Sequence, residues 1–152
     1  MAGITNRGKK LLLQYACRTT VRPTNYYVAL WNPAAAPTAD TNIMSDGTQI
    51  TAGNGYTSGG YSLTPGDTDF DVNTEDDGAD TAKVQIKDIV WTASGGNIPL
   101  AGSGARYAVL TDDNATPANR QVLAYWDLTS ERTVSDTQTL TLQNCELDLT
   151  EA

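Results

Sequence analysis

The chain has 152 residues, enough for one domain that buries about 70% of the surface its unfolded form exposes, so disulfide or metal staples are not required. Thirteen Gly, six Pro and abundant Thr, Asp and Asn favour turns and strands over helix interiors, which predicts an all-β domain. A net charge of −8 leaves no basic stripe for a phosphate backbone, and the absence of His removes Ser-His-Asp and Cys-His mechanisms and the commonest metal ligand.

The opening MAGITNRGKKLLLQYA has a basic stretch before Leu11, Leu12 and Leu13. Gln14 ends that apolar run well short of the roughly 7 to 15 residues of a secretion signal, and no stretch approaches the roughly 20 of a membrane span. The expectation is a soluble chain with no membrane or nucleic-acid partner. Thr5 or Asn6 is placed to cap a helix running to about Cys17, with Leu11, Leu12, Tyr15 and Ala16 on one stripe and Arg7, Lys9, Lys10 and Gln14 in water. So short a helix is marginal alone and must dock, either on its own domain or on a neighbouring chain.

Strand character begins after Pro23. Tyr26-Tyr27-Val28-Ala29-Leu30-Trp31 is a continuous apolar run closed by Asn32-Pro33, as expected of a strand buried on both faces; Pro33 to Asp40 reads as a loop. Asp46-Gly47, Asn54-Gly55 and Gly59-Gly60 supply turn chemistry around short strands at Thr48 to Ile50 and Tyr56 to Leu63. Asp67-Thr68-Asp69-Phe70-Asp71-Val72 alternates acidic and less polar residues and suits an exposed edge strand.

Lys83 to Thr92 changes face partway, which predicts a bulge near Asp88. Ala105 to Thr111 and Arg120 to Leu128 are further strands, separated by a turn starting at Asp112-Asp113-Asn114. Thr137 to Leu149 is the longest strand expected, with a second change of face and a bulge near Asn144. About eight strands without an internal repeat predict an antiparallel β-sandwich or jelly-roll-like domain over residues 23–152, preceded by a short N-terminal helical arm over 1–22.

No catalytic, cofactor-binding or metal-ligating residue is assigned, and no cofactor is expected. Paired carboxylates are the one catalytic chemistry the composition permits, with Asp88, Glu146 and Asp148 the nominees, but such groups more often stand on solvated strand faces. The acidic run Asp67 to Asp77 gathers oxygen ligands that suit calcium, although Val72 stands where an EF-hand loop needs Gly. Trp31, Trp91 and Trp126 sit inside apolar runs and read as core, leaving Tyr56 and Tyr61, flanked by Gly, as the candidates for exposed aromatic contacts. Cys17 and Cys145 form no CxxC pair; two buried thiols are expected, with a long-range disulfide the alternative.

Several stretches together resemble small structural proteins of tailed bacteriophages: Gly3-Ile4-Thr5-Asn6-Arg7-Gly8-Lys9, Pro23-Thr24-Asn25-Tyr26-Tyr27-Val28-Ala29-Leu30 and Ala36-Pro37-Thr38-Ala39-Asp40-Thr41, then Gly53 to Tyr61, Val90 to Gly96 and Ala105 to Leu110. The resemblance lies in short phrases along nearly the whole chain, without a catalytic motif. It implies a non-enzymatic virion component, most simply a decoration (cement) protein on the capsid exterior with the major capsid protein as partner. A homotrimer is implied in the same way. The alternative is a tail- or fibre-associated module whose loops around Gly53 to Gly60 and Asp112 to Asn119 meet a bacterial surface glycan. The arm from Met1 to Thr20, as the basic, helical and apolar-faced segment, is expected to grip the shell or a neighbouring subunit, and its deletion to leave a folded domain that no longer binds particles.

Overall fold

A computed structural model of the protein describes residues 2–150. In chain order its elements are β1 (Ala2–Ile4), α1 (Asn6–Cys17), β2 (Tyr26–Trp31), β3 (Tyr61–Leu63), β4 (Val72–Asp76) and β5 (Thr81–Ile86). There follow β6 (Ile89–Thr92), β7 (Ala105–Thr111), β8 (Val122–Arg132), β9 (Thr139–Leu142) and β10 (Cys145–Thr150), with short 3-10 turns at Met44–Asp46 and Pro117–Asn119. All named strand pairs are antiparallel. A five-stranded sheet, ordered β1-β8-β7-β2-β3, faces a layer made from a three-stranded sheet, β10-β5-β4, and a two-stranded one, β6-β9. The fold is an all-β antiparallel sandwich with one short N-terminal helix.

The continuous apolar run of β2 sits near the middle of the large sheet, where both faces need covering. Val28 and Leu30 enter the core between the layers with Leu110, Ile86, Ile89, Trp91 and Trp126. Ala29 and Trp31 turn to the other face, where Met44, Val109 and Val122 complete a second apolar cluster. The segment carrying Met44, between β2 and β3, lies against that face, held to the start of β8 where the Met44 amide donates to the Arg120 carbonyl at 2.9 Å and the Val122 amide to the Asn42 carbonyl at 2.9 Å.

The two changes of face read as bulges are corners. β5 pairs with β10 and β6 with β9, so Lys87-Asp88 and Gln143-Asn144 lie opposite one another where both strands leave one sheet and enter the next. Asn144 takes a positive φ of 54°, and the Gln143 side-chain amide donates to the Asp88 carboxylate across the corner at 3.0 Å. The edge strand expected over Asp67 to Val72 is instead β4, displaced to Val72–Asp76; the preceding residues form a turn that buries Asp69 and sets Phe70 edge-on to Tyr26 at 5.8 Å. Thr48 to Ile50 contributes one bridge to Trp31 rather than a strand, and of Tyr56 to Leu63 the last three residues are β3. Asn54 and Gly55, at φ of 53° and 104°, make the expected tight turn, with Gly53 and Tyr56 exchanging both backbone hydrogen bonds.

The helix docks on its own domain. Thr5 is fully buried: its hydroxyl donates to the Val122 carbonyl at 2.6 Å and accepts from the Gly8 amide at 2.8 Å, capping α1 against β8. A Cβ at Gly8 would overlap the Leu123 backbone carbonyl, so glycine is what lets helix and strand touch. Leu11 enters the main core, and β1 extends the large sheet alongside Ala124 to Trp126. Within the arm expected over 1–22, Ala2 to Cys17 thus pack on the domain that follows, and removing them would strip β1 from the large sheet and Leu11 from the core.

Candidate functional site

Two of the three carboxylates nominated from sequence are engaged by a neighbouring side chain. Glu146 pairs with Lys83 at 3.2 Å across the strands, Asp88 accepts from Gln143, and Asp148 is exposed further along β10. Among the described residues no three Asp, Glu or Cys side chains converge as metal ligands, so the acidic run 67–77 makes no calcium cage. Its one buried member, Asp69, is held by the Lys87 ammonium at 2.5 Å and accepts from the Thr64 amide at 2.7 Å. The Lys87 hydrogen bond, then the Thr64 amide, keep its carboxyl below the usual carboxylate range.

The aromatic candidates are also redistributed. Trp31, Trp91 and Trp126 are buried, as read. Tyr56 is 2% exposed, not a surface contact: its hydroxyl accepts from the Leu30 amide at 2.9 Å and from Gln49 at 2.7 Å, and burial pushes it up to about 12. Tyr61 is half-buried, edge-on to Trp91 at 6.3 Å with Lys87 5.3 Å over its ring. Of the two free cysteines, Cys145 is buried and its thiol is pushed up to about 12 by desolvation, so it stays protonated. Cys17 is exposed at the end of α1, which corrects the expectation of a buried thiol, and the two form no disulfide.

What the structure does assemble is a surface around α1. Gly8, Leu11 and Tyr15 face the domain, which leaves Leu12, Leu13 and Ala16 outside. Leu13 is 65% exposed and Val21, in the extended segment after the helix, 88%. Lys9, Lys10, Arg18 and Arg22 are exposed in the same stretch of chain, and Lys10, Leu13, Gln14, Cys17, Arg18 and Thr19 line a shallow hollow. Residues 1–22 hold Arg7, Lys9, Lys10, Arg18 and Arg22, half of the ten basic residues, and none of the 18 acidic ones. Of the remaining five basic residues, Lys83, Lys87 and Arg106 are ion-paired with carboxylates, Arg120 is buried against the Tyr27 ring at 3.6 Å, and Arg132 is exposed at the end of β8. Exposed acidic residues are spread over the rest of the chain, with one group, Asp71, Glu75, Asp76, Asp77 and Asp80, on or beside β4 and its turn.

Sequence reasoning found the basic helix but assigned its apolar stripe one position off, placing Leu12 and Ala16 inward. The signal that would have corrected it is Gly8, which with Leu11 and Tyr15 makes the i, i+3, i+7 face of close approach. Val21 lies in no periodic segment, and nothing local marks it as exposed. No protein-family model, curated protein or solved structure matches the chain.

Proposed function

We propose that this protein is a structural component of a bacteriophage particle, a decoration protein that binds the outer surface of the capsid and stabilises contacts between capsomers. The observation that carries the reading is the surface of α1: an exposed Leu13 sharing a hollow with the exposed cations Lys10 and Arg18, on a chain whose net charge is −8. Leu13 and Val21 in water are the kind of apolar exposure that a partner removes. The helix that presents Leu13 is clamped to β8 through Thr5 and Gly8, so it is held ready without an ordering cost on binding. The resemblance of its short phrases to those of phage structural proteins supports the same reading. On a lattice, a modest contact repeated at every capsomer gains from effective concentration, and no active site is needed.

The test is the number of copies per purified particle of the phage that encodes it, measured by mass spectrometry against the major capsid protein. A ratio near one per capsid subunit is expected. A handful of copies moves the protein to the tail, and none removes it from the virion; either result overturns the proposal. In reconstitution on undecorated shells, Leu13→Asp and Arg18→Glu should each weaken binding about tenfold or more while leaving the fold intact, since both side chains are exposed.

A further inference from the structure

The sandwich is closed unevenly along the seam between β8 and the β9-β10 strand. At one end β1 adds to β8 opposite Ala124 to Trp126 and also packs on β10, and the Trp126 indole donates to the Glu146 carbonyl at 3.0 Å. Past the Ala2 end of β1, on the side from which that strand comes, the seam opens into a groove of ≈ 560 Å³. Its walls are runs of consecutive residues, Trp126 to Thr129 on β8 and Thr139 to Leu142 on β9. Alternate side chains of a strand point to opposite faces, so a cavity lined by consecutive residues lies along the strand's edge.

That edge is open on β9. Among the described residues the strand pairs with β6 alone, and the Ala93 amide donates to the Gln138 carbonyl at 2.8 Å, which sets the alternation. Leu140 and Leu142 exchange hydrogen bonds with β6, and the N–H and C=O groups of Thr139 and Thr141 are directed away from it. On the other wall β8 is pushed out: Asp127 pairs with Tyr107 and Arg132 with Ala105, so Leu128 to Glu131 stand opposite Arg106 alone. At the crest Thr129, a β-branched residue, holds a left-handed φ of 65°, a strained conformation of the sort concentrated at binding sites. The floor is apolar, with Trp91, Trp126, Leu140 and Leu142. Asp127 is taken by Arg106 at 3.0 Å, whereas Arg132, at the Thr139 end, has no carboxylate partner among the described residues.

We propose that this groove binds an extended peptide segment of a partner protein, which adds as a strand to β9, directs alternate apolar side chains at Trp91, Trp126, Leu140 and Leu142, and sets an acidic residue against Arg132. A strand is the one backbone that satisfies the outward groups of Thr139 and Thr141 while filling a slot in line with β1. A second copy is the poorer occupant, because its β9 edge carries no acidic residue to set against Arg132 and its acidic edge strand β4 has no alternating apolar side chains. The site is independent of the particle reading and of the α1 surface.

The probe is the peptide acetyl-Glu-Val-Thr-Val-Thr-Val-amide, titrated into the full chain with amide hydrogen exchange read by NMR. Exchange at Thr139 and Thr141 should slow about tenfold or more at saturation, and Arg132→Glu should weaken binding by about tenfold. Thr141→Pro deletes an outward N–H on an edge strand, where proline is tolerated, and should abolish binding. Should that variant not fold, the same peptide N-methylated at its valines removes its own donors and should fail to bind the unaltered protein. Equal binding of the methylated peptide, protection confined to other strands, or no protection at millimolar peptide would each overturn the proposal.

Discussion

The large sheet and the β4-β5-β10 sheet are both antiparallel, yet they are stabilised by different means. β2 is flanked by β7 and β3 and covered on both faces, and Val28, Ala29 and Leu30 have no exposed surface. Its sequence is correspondingly apolar at every position. β4 and β5 carry Asn73-Thr74-Glu75-Asp76 and Thr81-Ala82-Lys83, with the β4 residues almost wholly exposed. Their pairing is held by the ladder itself, by cross-strand contacts such as Lys83 with Glu146, and by Ile86 and Cys145 where the strands dive into the core. Burial supplies the stability of the first sheet, and attachment to the core at one end supplies that of the second.

The sharpest way to break this comparison is a matched pair of truncations. Leu30→Ala removes a fully buried side chain from the centre of the core and should cost ~2–5 kcal/mol, with the size set by how far the neighbours collapse. Leu149→Ala, on the outer end of β10 where the side chain is 52% exposed, should cost less than ~0.5 kcal/mol. Urea unfolding of the two variants measures both. Similar losses would mean that β10 is buried in solution by something absent from the isolated chain.

A smaller effect sharpens the boundary of the large sheet. The Tyr56 hydroxyl stands where a neighbouring strand would otherwise accept from β2, taking the Leu30 amide at 2.9 Å and the Gln49 amide at 2.7 Å. Tyr56→Phe keeps the packing against Trp91 but leaves two donors without an acceptor, and should cost ~1–3 kcal/mol in the same assay. A neutral result would show that water reaches that hydroxyl.

The contrast also explains what was legible in the sequence. β2 and β7 were readable end to end because their own residues specify burial. The corners at Asp88 and Asn144 were visible as breaks in alternation, but a bulge and a change of sheet shift the parity by the same single residue. Only the pairing of β5 with β10 and β6 with β9 separates the two, and pairing is not local information. β1 is three residues of weak strand character, formed because β8 offers an edge, and Asn73 to Asp76 becomes strand against its own propensity because β5 lies beside it. On the surface, the basic character of α1 was legible; the exposure of Leu13 was not, since a leucine facing a domain and one facing water read alike. Nothing local in the sequence marked the β9 groove, which is made by two strand edges meeting in space.

The last and smallest effect concerns how the outer layer is fastened. Lys87 sits at the corner between β5 and β6, its amide donating to the Asp69 carbonyl at 3.1 Å and its ammonium pairing with the Asp69 carboxylate, while Asp69 also accepts from Thr64 just beyond β3. The pair thus ties the corner to the end of the large sheet. Asp69 is held low, chiefly by the Lys87 hydrogen bond, so its contribution to stability is present above the unfolded carboxyl value of about 4 and is lost as pH falls through the folded one. Lys87 is held high, chiefly by the Asp69 hydrogen bond, so its contribution is present below the unfolded value of about 10.4 and is lost as pH rises through the folded one. Thermal melts should therefore show a plateau between roughly pH 5 and pH 9, with Asp69→Asn lowering the plateau and flattening both limbs. If the variant instead tracks the unaltered protein across that range, the corner is held by its backbone hydrogen bond and by Ile86 and Ile89 beneath it, and the outer layer is fastened by burial after all.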